Sequence, residues 1–109
     1  HTFGHAIEAA SNYTLPHGHS VAAGLCMMGR ISQKKDWCSK ETADAIENCV
    51  RAYNLPTESP YQSEELLAYL KRDKKRTDHA LNIIVPKSIG TSSVMSVSFE
   101  TLSDLIKLA

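Results

Sequence analysis

The sequence has no excess of charge: Lys+Arg and Asp+Glu stand at 12 each, for a formal net charge of zero. Such a balance implies neither a nucleic-acid partner nor a membrane surface. Long apolar runs are missing too, and no stretch approaches the ~20 residues that a membrane-spanning helix needs. Cysteines paired as C-x-x-C are absent. Cys26, Cys38 and Cys49 are 12 and 11 residues apart and odd in number, which argues against a paired metal-ligand spacing and against a disulfide framework. They are expected to be three thiols, each at least partly buried, in a reducing compartment, and a cytoplasmic location follows. No signal peptide is visible, but the first residue is His1 rather than methionine, and a chain without its natural start would not show one. The expectation is a piece of a longer protein that begins inside a motif.

What is present is ordinary globular material, 42% hydrophobic and 22% charged over 109 residues, enough for one core and one domain spanning 1–109. "HTFGHAIEAAS" reads as a helix with an apolar stripe of Phe3, Ala6, Ile7 and Ala10. "NYTLP" breaks it, and Pro16 stands near the start of a second helix, "HGHSVAAGLCMMGRISQKK". Its small residues Gly18, Ala22, Ala23, Gly24 and Gly29 point to close approach of another backbone, because Gly inside a helix otherwise costs about 1 kcal/mol. Ser39 is placed to cap a third helix whose buried face would be Ala43, Ile46, Cys49, Val50 and Tyr53. Ser63 is placed to cap a fourth, with acids in its first turn and lysines in its last. "LNIIVP" and "SVMSVS" flank a Gly-containing turn and are expected to pair as a hairpin, followed by a short helix capped by Ser98. The fold class expected is mainly α, a helical bundle with a small two-stranded β-ribbon near the C-terminal end.

Four of the five histidines, His1, His5, His17 and His19, lie in the first twenty residues. They are candidates for a metal site or a proton-transfer site, with helix-surface imidazoles of no special role as the plain alternative. His1 and His5 are one helical turn apart on one face. His17 follows a turn and returns beside the first helix if the two helices pack antiparallel. Neutral imidazole is a standard zinc ligand. The spacing favours His1 with His17 as ligands over His19. A catalytic zinc usually takes three protein ligands, and no acid is an obvious third: Glu8 lies one turn beyond His5, on the side away from His1. A second polar cluster, "LKRDKKRTDH" over 70–79, is either a solvated helix end or an anion site in which lysine acts as a mobile point charge.

"HTFGHAIEAA" followed by "LPHGHSVAAGL" resembles the signature of the 3-dehydroquinate synthase family, commonly GHTFGHAIE and then LHGEAVAIGM. "RDKKRTDHALNIIVPKSIG" resembles its later stretch, roughly DKKxxxGxxxFVLLxxIG. The resemblance implies that the chain is the helical C-terminal domain, with the N-terminal NAD-binding domain outside it. It further implies that His1 and His17 match two zinc ligands, the third being a glutamate upstream, and that His5 matches a histidine assigned to proton transfer. Lys74 or Lys75 matches a lysine that contacts substrate. The implied reaction is conversion of 3-deoxy-D-arabino-heptulosonate 7-phosphate to 3-dehydroquinate and phosphate, a step of the shikimate route to aromatic amino acids. The implied cofactors are NAD and a divalent metal, zinc first and cobalt second, and the implied full protein is a homodimer. Two departures stand out. His19 replaces the usual glutamate of HGE, which opens a rearranged metal shell that uses His19, and the glycine after DKK is missing. Related sugar-phosphate cyclases, metal-dependent alcohol or glycerol dehydrogenases, and a non-catalytic isolated helical domain are the competing expectations.

Overall fold

A computed structural model describes residues 1–77 and 81–109, with residues 74–77 described by backbone alone. Among the described residues there are five helices and one antiparallel strand pair: α1 (Thr2–Ala10), α2 (His17–Lys34), α3 (Lys40–Ala52), α4 (Ser63–Thr77), β1 (Leu81–Ser88), β2 (Thr91–Val97) and α5 (Phe99–Ile106). The mainly helical class with its β-ribbon is what the apolar periodicity predicts. No helix among the described residues is long and apolar enough to cross a membrane.

The long helix α2 is the spine, and its residues Ala23, Met27 and Ile31 carry the main core. From α1, Phe3 and Ile7 enter that core at i, i+4 spacing, and from α4 Leu66 and Leu70 do the same. The ribbon closes one side. Its strands alternate, so that Ile83, Val85 and Val97 face inward while Ile84 and its cross-strand partner Val94 face outward. Leu102, Leu105 and Ile106 of α5 complete the packing.

Capping follows the sequence in two of three cases. The Ser39 and Ser98 hydroxyls accept from Thr42 N–H and Thr101 N–H at 3.1 and 3.0 Å. At α4 the boundary lies one residue earlier: Ser63 is the first helical residue, and the Glu65 carboxylate accepts from Gln62 N–H at 3.3 Å. This is the backward half of a capping box, with Gln62 in the capping position and glutamate three residues on.

The expected buried face of α3 is too wide. Ala43 and Val50 are buried and Ile46 packs beside them, but Cys49 and Tyr53 are exposed. Helix α3 packs mainly against α2, through a small cluster with Ala22 and Cys26, so one narrow stripe suffices. Tyr53 lies beyond the last turn, as the C-cap. Arg30 ties the two helices: its guanidinium donates to Glu47 Oε1 and to the Thr57 carbonyl, both at 3.0 Å.

The thiols likewise differ from the expectation that all are partly buried, since Cys26 is buried, Cys38 half-buried and Cys49 exposed. Burial pushes the Cys26 thiol up, with Arg30 opposing, and burial pushes Cys38 up as well. Because the thiolate is the reactive species, iodoacetamide at pH 8 is expected to modify Cys49 first and Cys26 only on unfolding. Peptide mass mapping over time checks this, and early modification of Cys26 would contradict the packing of α2 on α3.

Candidate metal centre

The site is made by the crossing of α1 and α2. At the crossing, a Cβ on Gly24 would stand 2.9 Å from the Gly4 nitrogen, and one on Gly4 would stand 3.2 Å from the Val21 Cα. Only glycine permits this approach. Of the small residues expected to serve close packing, Gly24 does so against Gly4. A methyl group on Gly18 would meet nothing within 4 Å, and one on Gly29 would make ordinary contact at 3.7 Å.

The connection between the helices is short and latched. The Ser11 hydroxyl donates to the Glu8 carbonyl at 2.7 Å and accepts from Leu15 N–H at 3.2 Å. Asn12 and Tyr13 take left-handed backbone, with φ of 54° and 60°. Asparagine enters this region readily, tyrosine less so. Pro16 then stands at the N-cap of α2, its carbonyl accepting from the amides of His19 and Ser20. At its other end α1 is pinned to the ribbon, where the Thr2 hydroxyl donates to the Asn82 carbonyl at 3.1 Å. His1, the N-cap residue, is thereby held next to β1.

Three imidazoles meet in this frame. The His1 and His5 ring centroids are 5.2 Å apart, and the His17 ring stacks on His1 at 5.4 Å with a 14° interplanar angle. His5 and His17 are 6.0 Å apart. The spacing of His1 and His5 on one face and the return of His17 are both as the sequence predicts. His19 is exposed on α2 and, among the described residues, its ring contacts none of the other three.

Glu8 differs from expectation. Its carboxylate reaches His17, Oε2 lying 3.1 Å from Nδ1. Moreover, one donor atom each from His5, Glu8 and His17 lie within 4.8 Å of one another. The signal was present in the spacing: His1, His5 and Glu8 are i, i+4 and i+7, one stripe of a helix. What hid it was distance along the axis from His1, which the return of α2 bridges through His17.

Two clefts flank the cluster. One, of about 350 Å³, is largely apolar and opens between His1, Val21, Leu25 and the outer ribbon residues Ile84 and Pro86. The other, of about 550 Å³, is lined by His5, Glu8, Asn12, Tyr69, Arg72 and Asp73, among others, so its charged groups are of both signs. Arg72 holds its guanidinium carbon 5.1 Å from the Tyr69 ring centre, a cation–π arrangement. That wall is the turn of α4 immediately before Lys74 and Lys75, whose side chains lie outside the described residues, as does His79.

Comparison with known proteins agrees with the sequence signature. The 3-dehydroquinate synthase C-terminal family model matches residues 1–76. A 3-dehydroquinate synthase of Pseudoalteromonas atlantica is 41% identical over 94% of this chain, and one of Dictyoglomus turgidum is 35% identical over 99%. The chain spans about 30% of the length of each. Among solved structures, a 2-deoxy-scyllo-inosose synthase with carbaglucose-6-phosphate, NAD+ and Co2+ superposes with TM-score 0.74 at 21% identity, covering 97% of this chain and 32% of that one. A 2-epi-5-epi-valiolone synthase of Streptomyces hygroscopicus with NAD+ and Zn2+ gives 0.78 at 19% identity, covering 96% of this chain and 31% of that one. These two share the fold. The signature of α1 and α2 and the match over residues 1–76 together assign the chain to the 3-dehydroquinate synthase C-terminal family.

Proposed function

We propose that this chain is the metal-bearing helical part of an enzyme that converts 3-deoxy-D-arabino-heptulosonate 7-phosphate to 3-dehydroquinate and phosphate. The observation that carries the reading is the convergence of the His1, His5 and His17 rings, with centroids 5.2 to 6.0 Å apart. Nitrogen donors with a neighbouring carboxylate suit zinc or cobalt better than magnesium or calcium, which prefer oxygen. The donor set therefore fits a borderline divalent metal. His1 and His17 are the ligands in this reading, and a carboxylate from the remainder of the protein completes the set. Metal and NAD, when bound, supply Lewis acidity toward substrate hydroxyls and a reversible hydride acceptor.

The chain's own residues have separate tasks. His5, on the same face as His1 and on the wall of the polar cleft, takes and returns a proton at the substrate. Lys74 or Lys75 meets an anionic group of the substrate, and Arg72 one turn earlier adds positive charge to that wall. Fixed contacts of this kind orient the sugar phosphate for elimination. The remainder of the protein supplies the NAD site, and the complete enzyme works as a cytoplasmic homodimer. No nucleic-acid or membrane partner enters the reading.

Phosphate release from the heptulosonate phosphate by the full protein, with NAD and zinc, tests this. Release that a chelator abolishes and zinc restores is the expected result. No release, or oxidation of glycerol instead, would sink the assignment; turnover of a different sugar phosphate to another cyclitol would move it to a related cyclase. The 109-residue chain alone is expected neither to bind NAD nor to release phosphate, and detectable turnover by it would contradict the division of labour proposed here.

A further inference from the structure

Glu8 is neither ligand nor proton carrier in the reading above, yet its carboxylate is hydrogen-bonded to one of the clustered histidines. Its side chain is 20% exposed, against 54% for that of His17. A carboxylate only accepts, so His17 Nδ1 carries the proton in this contact and Nε2 keeps its lone pair. We infer that Glu8 is a positioning residue for His17, fixing its tautomer and ring orientation so that Nε2 is the atom offered to the metal. The inference rests on His17 being a metal ligand.

Three features make the pairing a built one. Helices α1 and α2 are locked at Gly4 and Gly24, where no sliding is possible without backbone displacement. The Glu8 carbonyl is held by the Ser11 hydroxyl, so the same residue is anchored to the connection that delivers His17. The His17 ring, held at Nδ1, stacks on His1 at a 14° angle, which brings the two ligand rings together. Ligating histidines commonly donate their second ring N–H to a carboxylate, which fixes ring orientation and raises basicity.

The same carboxylate also lies close enough to His5 and His17 for direct ligation, with donor atoms within 4.8 Å. Cobalt(II) titration of the metal-free full protein, followed by visible absorption, separates the two roles. Glu8→Ala is expected to weaken cobalt affinity by roughly 10- to 100-fold. Glu8→Gln is expected to recover most of that, because an amide oxygen still accepts from Nδ1–H. The spectra of both variants at saturation are expected to superpose on wild type, since the ligand set is unchanged. Unaltered affinity in Glu8→Ala overturns the inference. So does an altered saturated spectrum in either variant, which makes Glu8 itself a ligand. Should the alanine variant not fold, the saturated spectrum of Glu8→Gln decides alone. His17→Ala is the reference: if it keeps wild-type affinity and spectrum, the ligand assignment of His17 fails, whatever Glu8 does.

Discussion

Replacing His17 with alanine is expected to lower phosphate release by the full protein about 10³-fold and to remove its metal. The magnitude follows from the size of Lewis-acid stabilisation, several kcal/mol, taken here as about 4 kcal/mol at ~1.4 kcal/mol per tenfold change in rate. His5→Ala is expected to behave differently. In the role proposed for it His5 carries a proton, so its loss is expected to cost on the order of 10²-fold in rate, while metal content stays at the wild-type level. The split is the point of the pair, because the two imidazoles sit only 6.0 Å apart and a general disturbance of the site would affect both properties in both variants. Rate and metal analysis on the same preparations check it. A His17→Ala protein that keeps its metal would remove His17 from the ligand set, and a His5→Ala protein that loses it would add His5 to that set; either contradicts the proposed roles.

Gly24→Ala is expected to destabilise the fold by about 1–3 kcal/mol, the usual cost of overpacking. Helix propensity alone points the other way, since alanine is favoured over glycine by about 1 kcal/mol inside a helix. The crossing decides the sign: the new Cβ would stand 2.9 Å from the Gly4 nitrogen, a backbone atom with no freedom to step aside. Because α1 must move, metal affinity is expected to fall with stability. Gly18→Ala serves as the control on the same helix, with nothing within 4 Å of its Cβ position, and is expected to leave stability unchanged or slightly raised. Thermal melts of the two variants against wild type, with metal titration of each, provide the measurement. Equal melting temperatures for Gly24→Ala and wild type would contradict the crossing.

The elements were legible in the sequence wherever one local signal decided them. The stripe Phe3, Ala6 and Ile7, the caps at Ser39 and Ser98, and the Gly-containing turn between two β-branched runs all lead to the observed elements. Widths of buried faces were less legible. The apolar positions Cys49 and Tyr53 fit the helical period, but among the described residues α3 packs mainly on α2, and that contact covers only the stripe of Ala43, Ile46 and Val50. The same holds for small residues: Gly18, Gly24 and Gly29 look alike in sequence, and only the place where α1 crosses distinguishes Gly24.

At the site, the spacing of His1 and His5 and the turn before His17 foretold a cluster, and the family signature supplied the roles proposed for each. Glu8 escaped because its partner is not its helical neighbour. Nine residues separate it from His17 in sequence, and only the latched connection through Ser11, Asn12 and Tyr13 turns that separation into a 3.1 Å contact. His19, conspicuous in sequence beside His17, is exposed and among the described residues makes no ring contact with the cluster, as expected for residues two apart on a helix, which do not share a face.

The most direct test of the account is to locate the metal. Anomalous diffraction at the zinc edge, from crystals of the zinc-loaded full protein, is expected to place one ion at about 2.0–2.1 Å from a single nitrogen of each of His1 and His17. His5 and His19 are expected to lie outside coordination, with Glu8 on the far nitrogen of His17. An ion held instead by His5, Glu8 and His17, with His1 free, or one bound through His19, would contradict it.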